Sequence, residues 1–137
     1  MMAHRDHMVG WPLTLLLADE GGTRTSTFRY RTWEPFSVTI TLPLDEGAVE
    51  FEFARDLLID GVEEAVGEGW IEVLPHYVDP DLVTLRMFAA GRWHEFYARR
   101  DDVDGFIDAT CELVPLSRAA DRLDLDALIH RLLAGAR

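Results

Sequence analysis

Apolar and polar residues alternate with a period of two over several stretches of the chain, and these stretches mark its expected strands. Phe28, Tyr30 and Thr32 take turns with Arg29 and Arg31, the pattern of a strand buried on one face. After Pro35, Phe36, Val38, Ile40 and Leu42 share one side, with Ser37, Thr39 and Thr41 on the other. A turn from Pro43 to Gly47 leads to Val49, Phe51 and Phe53 facing inward and Glu50 and Glu52 outward, which predicts a hairpin. A second hairpin follows later: Val83, Leu85 and Met87 rise, Ala90-Gly91 turns, and His94, Phe96 and Ala98 return on one face. Leu13 to Ala18 reads as a first strand closed by Gly21-Gly22, and Ile71 with Val73 as another, ending at Pro75. Residues 1–10 lack an apolar period and read as a frayed terminus.

Elsewhere the period changes. Between Ala54 and Gly67, Leu57, Leu58 and Val62 suit one or two helical turns, although Gly61 interrupts them and Leu58-Ile59 would equally extend a strand. Arg55-Asp56 reads as a local cap or pair at its start. Val103, Phe106, Ile107, Thr110 and Leu113 then follow helical spacing, with Asp101 or Asp102 as N-cap and Pro115 as terminator. A last helix is predicted from Leu125, Leu128, Ile129 and Leu132, between Asp124 and Gly135. The expected fold class is α+β: antiparallel sheets with a short middle helix and two C-terminal helices, in a single domain over residues 1–137 without internal repeats.

Composition narrows the function. No stretch nears the roughly 20 apolar residues of a membrane span, and Leu13 to Ala18 lacks the flanks of a secretory signal, so a cytoplasmic protein without membrane insertion is expected. The single cysteine, Cys111, makes no internal disulfide and reads as a small core residue. Lysine, asparagine and glutamine are absent, which fits a high-GC genome and excludes a Walker-type phosphate loop and Schiff-base chemistry. A net charge of −12 repels polyphosphates unless the arginines gather on one face, and Arg29 with Arg31 and Arg99 with Arg100 form no such groove.

The search for reactive groups is negative. His4 and His7 sit in a terminus without support, and His76, His94 and His130 fall on separate elements. His94-Glu95 begins a zinc-protease motif that fails at Ala98. The acidic run from Asp101 to Gly105 fails as a calcium loop, with Arg100 and Cys111 at ligand positions. Ser26, Ser37 and Ser117 lie in no nucleophile elbow, and Gly67 and Gly69 precede a strand where a phosphate cradle needs a helix. No catalytic, metal or cofactor site is predicted. Trp33, before Glu34-Pro35, and Trp70, read as lying on the strand face opposite Ile71 and Val73, are the large aromatics placed for exposure.

Five ordered blocks carry a family resemblance. Tyr30-Arg31-Thr32-Trp33-Glu34-Pro35-Phe36-Ser37-Val38 resembles the signature Y-x-x-x-D-P-Y-A-V of the SsgA-like proteins, and Phe53-Ala54-Arg55-Asp56-Leu57-Leu58 with Gly61 resembles F-A-R-[DE]-L-L-x-x-G. Gly67-Glu68-Gly69 with Pro75, Phe106 to Pro115, and Asp124 to Leu133 are similar to the three blocks that follow. Departures are Glu34 for the usual aspartate, Trp70 for the aspartate after the glycine block, and Leu116-Ser117-Arg118 for a glycine and Glu-His pair. The resemblance implies a non-enzymatic regulator of sporulation-specific division without cofactors. Its implied partners are FtsZ or other SsgA-like members, and its implied site is the septum. It further implies a whirly-type fold assembled as a trimer. Trp33, Glu34 and Trp70 are the expected partner-facing residues. The alternatives from other classes are a single-stranded nucleic-acid-binding regulator on that fold and a small-molecule enzyme.

Overall fold

A computed structural model of the chain describes residues 7–18, 21–45 and 47–116. Within them the alternating stretches become strands β1 (Met8–Leu17), β2 (Thr23–Arg31), β3 (Ser37–Leu44) and β4 (Gly47–Ala54), then helix α1 (Arg55–Gly61). Strands β5 (Val66–Glu68), β6 (Ile71–Pro75), β7 (Leu82–Ala89) and β8 (Arg92–Arg99) follow, then helix α2 (Arg100–Leu113). All eight strands form one antiparallel sheet in the order β4-β3-β2-β1-β8-β7-β6-β5. The expected separate sheets are therefore one, because β1 and β8 pair through Leu15–Ala98, Leu16–Tyr97 and Leu17–Phe96.

The predicted inward faces are buried at Phe28 and Tyr30, Val38, Ile40 and Leu42, Val83, Leu85 and Met87, Phe96 and Ala98. Both hairpins form. Ala90 and Gly91 carry φ of 53° and 80°, the left-handed pair that a tight two-residue turn requires. Three details differ from expectation. Strand β1 begins at Met8, inside the stretch read as frayed, since Val9 is buried and the first residues pair with β2 up to Arg31. Between Ala54 and Gly67 the helical reading holds, with Leu58-Ile59 inside α1 and not in a strand, but the short β5 follows before the loop glycines. Asp101 and Asp102 lie in the first turn of α2, where carboxylates suit the helix dipole, while Arg99 occupies the N-cap position without a side-chain cap. The predicted last helix, with Leu125 to Leu132, lies outside the described residues, as do His4, Ser117 and His130.

The sheet also repeats itself at a fixed offset, so a chain read as free of internal repeats carries one in its architecture. Strand β7 starts 45 residues after β3 (82 against 37), β8 after β4 (92 against 47) and α2 after α1 (100 against 55). The bonds repeat with it. Ser37 N–H donates to Glu34 O and Leu82 N–H to Asp79 O; Arg55 N–H donates to Phe36 O and Arg100 N–H to Asp81 O. In each half a hairpin is entered through an acidic residue and proline (Glu34-Pro35, Asp79-Pro80) and closed by a helix.

Each helix meets the sheet through a glycine. A Cβ on Gly61 would lie 2.3 Å from Val73 Cγ1 on β6, and one on Gly105 would lie 2.9 Å from Trp11 Cζ2 on β1. The helices are then tied to each other by Arg55, which is only 2% exposed. Its Nη1 donates to Val114 O at 2.9 Å and to Thr110 Oγ1 at 3.3 Å, at the C-terminal end of α2. Its guanidinium lies 5.0 Å from the centre of the Tyr30 ring, and among the described residues Nη2 has no hydrogen-bond partner. The carbonyl-rich end of a helix is a favourable place for a cation.

Candidate functional site

The second half carries three of the exposed aromatic residues, Trp70, Tyr77 and Trp93. Gly69, with φ of 60°, lets the chain turn sharply between β5 and β6, and Trp70 follows in that turn, not on a strand. Phe88 N–H donates to Trp70 O at 2.9 Å, which fixes the turn against the end of β7. The Trp70 ring is tilted over Phe88 at 5.2 Å, and Phe88 meets Trp93 edge to face at 5.6 Å, directly opposite it in the β7–β8 register. Trp70 is 65% exposed.

Beside these rings runs a row of charge. Glu72, Arg86 and Glu95 are cross-strand neighbours on β6, β7 and β8. Arg86 Nη1 donates to Glu72 Oε1 at 2.6 Å and Nε approaches Glu95 Oε1 at 3.4 Å, while the guanidinium lies 5.7 Å from the Trp93 ring. Such half-exposed pairs add little stability individually, about 0–1 kcal/mol, but they hold the side chain against the aromatic face.

A second group sits on the two proline turns. Trp33 is 61% exposed, and 45 residues later Val78 follows Tyr77, which is 92% exposed (78 against 33). The first turn is pinned by Tyr30 Oη donating to Pro35 O at 3.0 Å. The second is pinned by His76, whose Nδ1 accepts from Val78 N–H and Asp79 N–H at 3.2 and 2.9 Å. Trp33 and Glu34 therefore share a turn, and Glu34 stands 3.9 Å from Arg31. Trp70 lies in the β5–β6 turn, its ring packed on Phe88, and lines a groove with residues 50–53 of β4. Sequence reasoning misses Tyr77 and Val78, and with them the place of Trp93 beside Phe88. The available signal is the second acidic-Pro turn, which mirrors the first.

The reactive residue types serve structure. His94 is buried with Nε2 at 2.9 Å from Ala89 O, and Ser26 Oγ donates to Leu13 O. Cys111 is a free thiol on α2 and half-buried, so it is not the core residue expected. Among the described residues no group of three His, Cys, Asp or Glu is arranged to hold a metal. Nor is any described helix long and apolar enough to cross a membrane. Arg29 and Arg31 bond to Thr41 and Thr39 of the neighbouring strand.

Over the described residues this is an α+β protein of one antiparallel sheet with two packed helices, and its exposed chemistry is aromatic and ionic. The chain belongs to the SsgA family: the profile described as Streptomyces sporulation and cell division protein, SsgA, matches residues 25–118. It is 30% identical to the sporulation-specific cell division protein SsgB of Frankia casuarinae over 139 aligned positions, covering 98% of this chain and 97% of that one. With SsgB of Kineococcus radiotolerans the identity is 31%, over 97% of this chain and 84% of the relative. The crystal structure of an SsgA-like sporulation-specific cell division protein from Thermobifida fusca superposes with a TM-score of 0.74 at 24% identity, covering 95% and 98% of the two chains. A structure from work on SsgB of Streptomyces coelicolor gives a TM-score of 0.73 at 24% identity, over 85% and 96%.

Proposed function

We propose that this protein is a non-catalytic regulator of sporulation-specific cell division that acts as an oligomeric adaptor. The observation that carries the reading is its nearly end-to-end similarity to proteins named for that process. In this reading the protein is cytoplasmic and gathers at the division septum. There it helps place the division machinery, through FtsZ or other SsgA-like members. An assembly, expected to be a trimer on a whirly-type scaffold, presents the same face several times, so weak contacts to a polymer add through effective concentration. Trp33 on the first proline turn, with Glu34 beside it, and Trp70 beside Phe88 supply exposed aromatic anchors of the kind that dominate protein contacts.

The test is time-lapse imaging of a fluorescent fusion in the sporulating source organism. Foci or ladders at future septa, arriving before or with FtsZ, are the expected result. Diffuse signal through development, together with normal septation after deletion, would overturn the proposal. A salt-dependent mobility shift with single-stranded DNA would instead favour the nucleic-acid reading, against which the net charge of −12 weighs.

A further inference from the structure

The 45-residue recurrence makes a demand at one place that the chain leaves unmet. Phe96, Tyr97 and Ala98 of β8 pair with β1, and Ala18 N–H extends the junction by donating to Glu95 O. At the same offset on β4, the counterparts of Glu95, Phe96, Tyr97 and Ala98 are Glu50, Phe51, Glu52 and Phe53. In the order of elements, β5 stands before the second half as β1 stands before the first. Yet β4 and β5 are the two ends of the sheet, and no ladder joins them. Where the second junction of the repeat would lie there is a groove of about 410 Å³, lined on one side by residues 50–53 and on the other by Glu68 to Ile71, with Phe88.

The groove has a definite chemistry. Its walls are apolar, from Phe51, Trp70 and Phe88, and its rim carries Glu50, Glu52 and Glu68. Arg29 stands 3.8 Å from Glu50, but among the described residues no cation pairs with Glu52 or Glu68. An edge strand offers a row of free N–H and C=O groups to any extended chain that reaches it. Glu50 and Glu52 along β4 and Glu68 across the groove repel a second copy of the β4 edge and attract a cationic segment.

We propose that this groove binds an extended segment of a partner protein, one with an aromatic or aliphatic side chain flanked by arginine or lysine, by strand addition to β4 opposite the β5–β6 turn. Four residues of extended chain cover about 13 Å at roughly 3.3 Å each, which matches the four groove residues of β4. The apolar side chain seats among Phe51, Trp70 and Phe88, and the flanking cations meet Glu52 and Glu68. The inference deepens the adaptor reading and rests on it for the partner's role in division.

Hydrogen exchange with a synthetic nonapeptide of alternating arginine and isoleucine, centred on phenylalanine, tests it. The amides of residues 50–53 are expected to slow on binding, and N-methylation of the peptide's inner amides to abolish that protection. The double variant Glu52→Arg, Glu68→Arg is expected to weaken binding at least about tenfold. Binding without protection at these amides, or equal binding by a peptide with glutamate for arginine, would overturn the proposal. So would edges already protected in the free protein by a second copy, seen as an assembly that the double variant dissociates. Imaging separates this from the broader reading. Wild-type foci with no exchange effect sink the groove alone, whereas a diffuse wild type sinks the adaptor while the exchange result still decides the groove.

Discussion

Replacing Arg55 tests what a buried guanidinium contributes here. In Arg55→Met the side chain keeps most of its length and apolar bulk, and the backbone N–H bond to Phe36 O is untouched. Val114 O loses its donor, at about 1–3 kcal/mol, but Thr110 Oγ1 still donates to Ile107 O at 2.7 Å. Against this loss, the unpartnered Nη2 disappears, which returns about 1–3 kcal/mol. The two nearly cancel, and Arg55→Met is expected within about 1.5 kcal/mol of wild type. Arg55→Lys retains a charge but reaches fewer acceptors and lacks the planar fork over Tyr30, so a loss of about 2–4 kcal/mol is expected. Arg55→Ala adds a cavity and should lose about 3–5 kcal/mol. Urea denaturation followed by tryptophan fluorescence reads all three. If lysine preserved stability while methionine lost more than about 3 kcal/mol, charge itself, and not packing around the side chain, would hold the helices together.

Other outcomes follow from the packing. Gly61→Ala should lose about 2 kcal/mol or more despite its better helix propensity, because the added methyl meets Val73 Cβ and a backbone oxygen; a urea midpoint equal to wild type would refute the close approach. Gly105→Ala should lose less, since the obstacle is one edge of the Trp11 ring; the same denaturation ranks the pair. His76→Ala removes the acceptor of two backbone N–H groups and should cost about 1–2 kcal/mol, with a melting temperature insensitive to chelator in both proteins. Trp33→Ala and Tyr77→Ala should stay within about 0.5 kcal/mol of wild type yet reduce septal foci of the fusion; normal foci would remove the proline turns from the contact surface.

The hairpins are legible in the sequence because each depends on near neighbours: alternation selects the face, and Ala90-Gly91 or the stretch from Pro43 to Gly47 sets the turn. What is hidden depends on distant contacts. Met8 to Gly10 become strand because Arg31, Tyr30 and Arg29 lie opposite them. Arg55, which reads as a local cap or pair, is buried because the end of α2 arrives above it with Val114 O. Trp70 reads as strand since Ile71 and Val73 follow it, but Gly69 starts the turn that carries it. The recurrence is hard to see because it survives mainly as pattern, with Glu34-Pro35 against Asp79-Pro80 and Val38-Thr39-Ile40 against Val83-Thr84-Leu85. Exposed Trp33 is legible beside its proline, whereas Tyr77 and Val78 are legible only once that recurrence is known.

The β1–β8 junction has a consequence for synthesis. Leu17 of β1 pairs with Phe96, which the ribosome adds 79 residues later (17 to 96). At about 5–20 residues per second this takes roughly 4–16 seconds. During that interval the first four strands can pair among themselves while the outer rim of β1 stays bare. The nascent chain thus carries a sticky border until β8 covers it, and slower translation between the halves lengthens the time in which a neighbouring chain can reach it first.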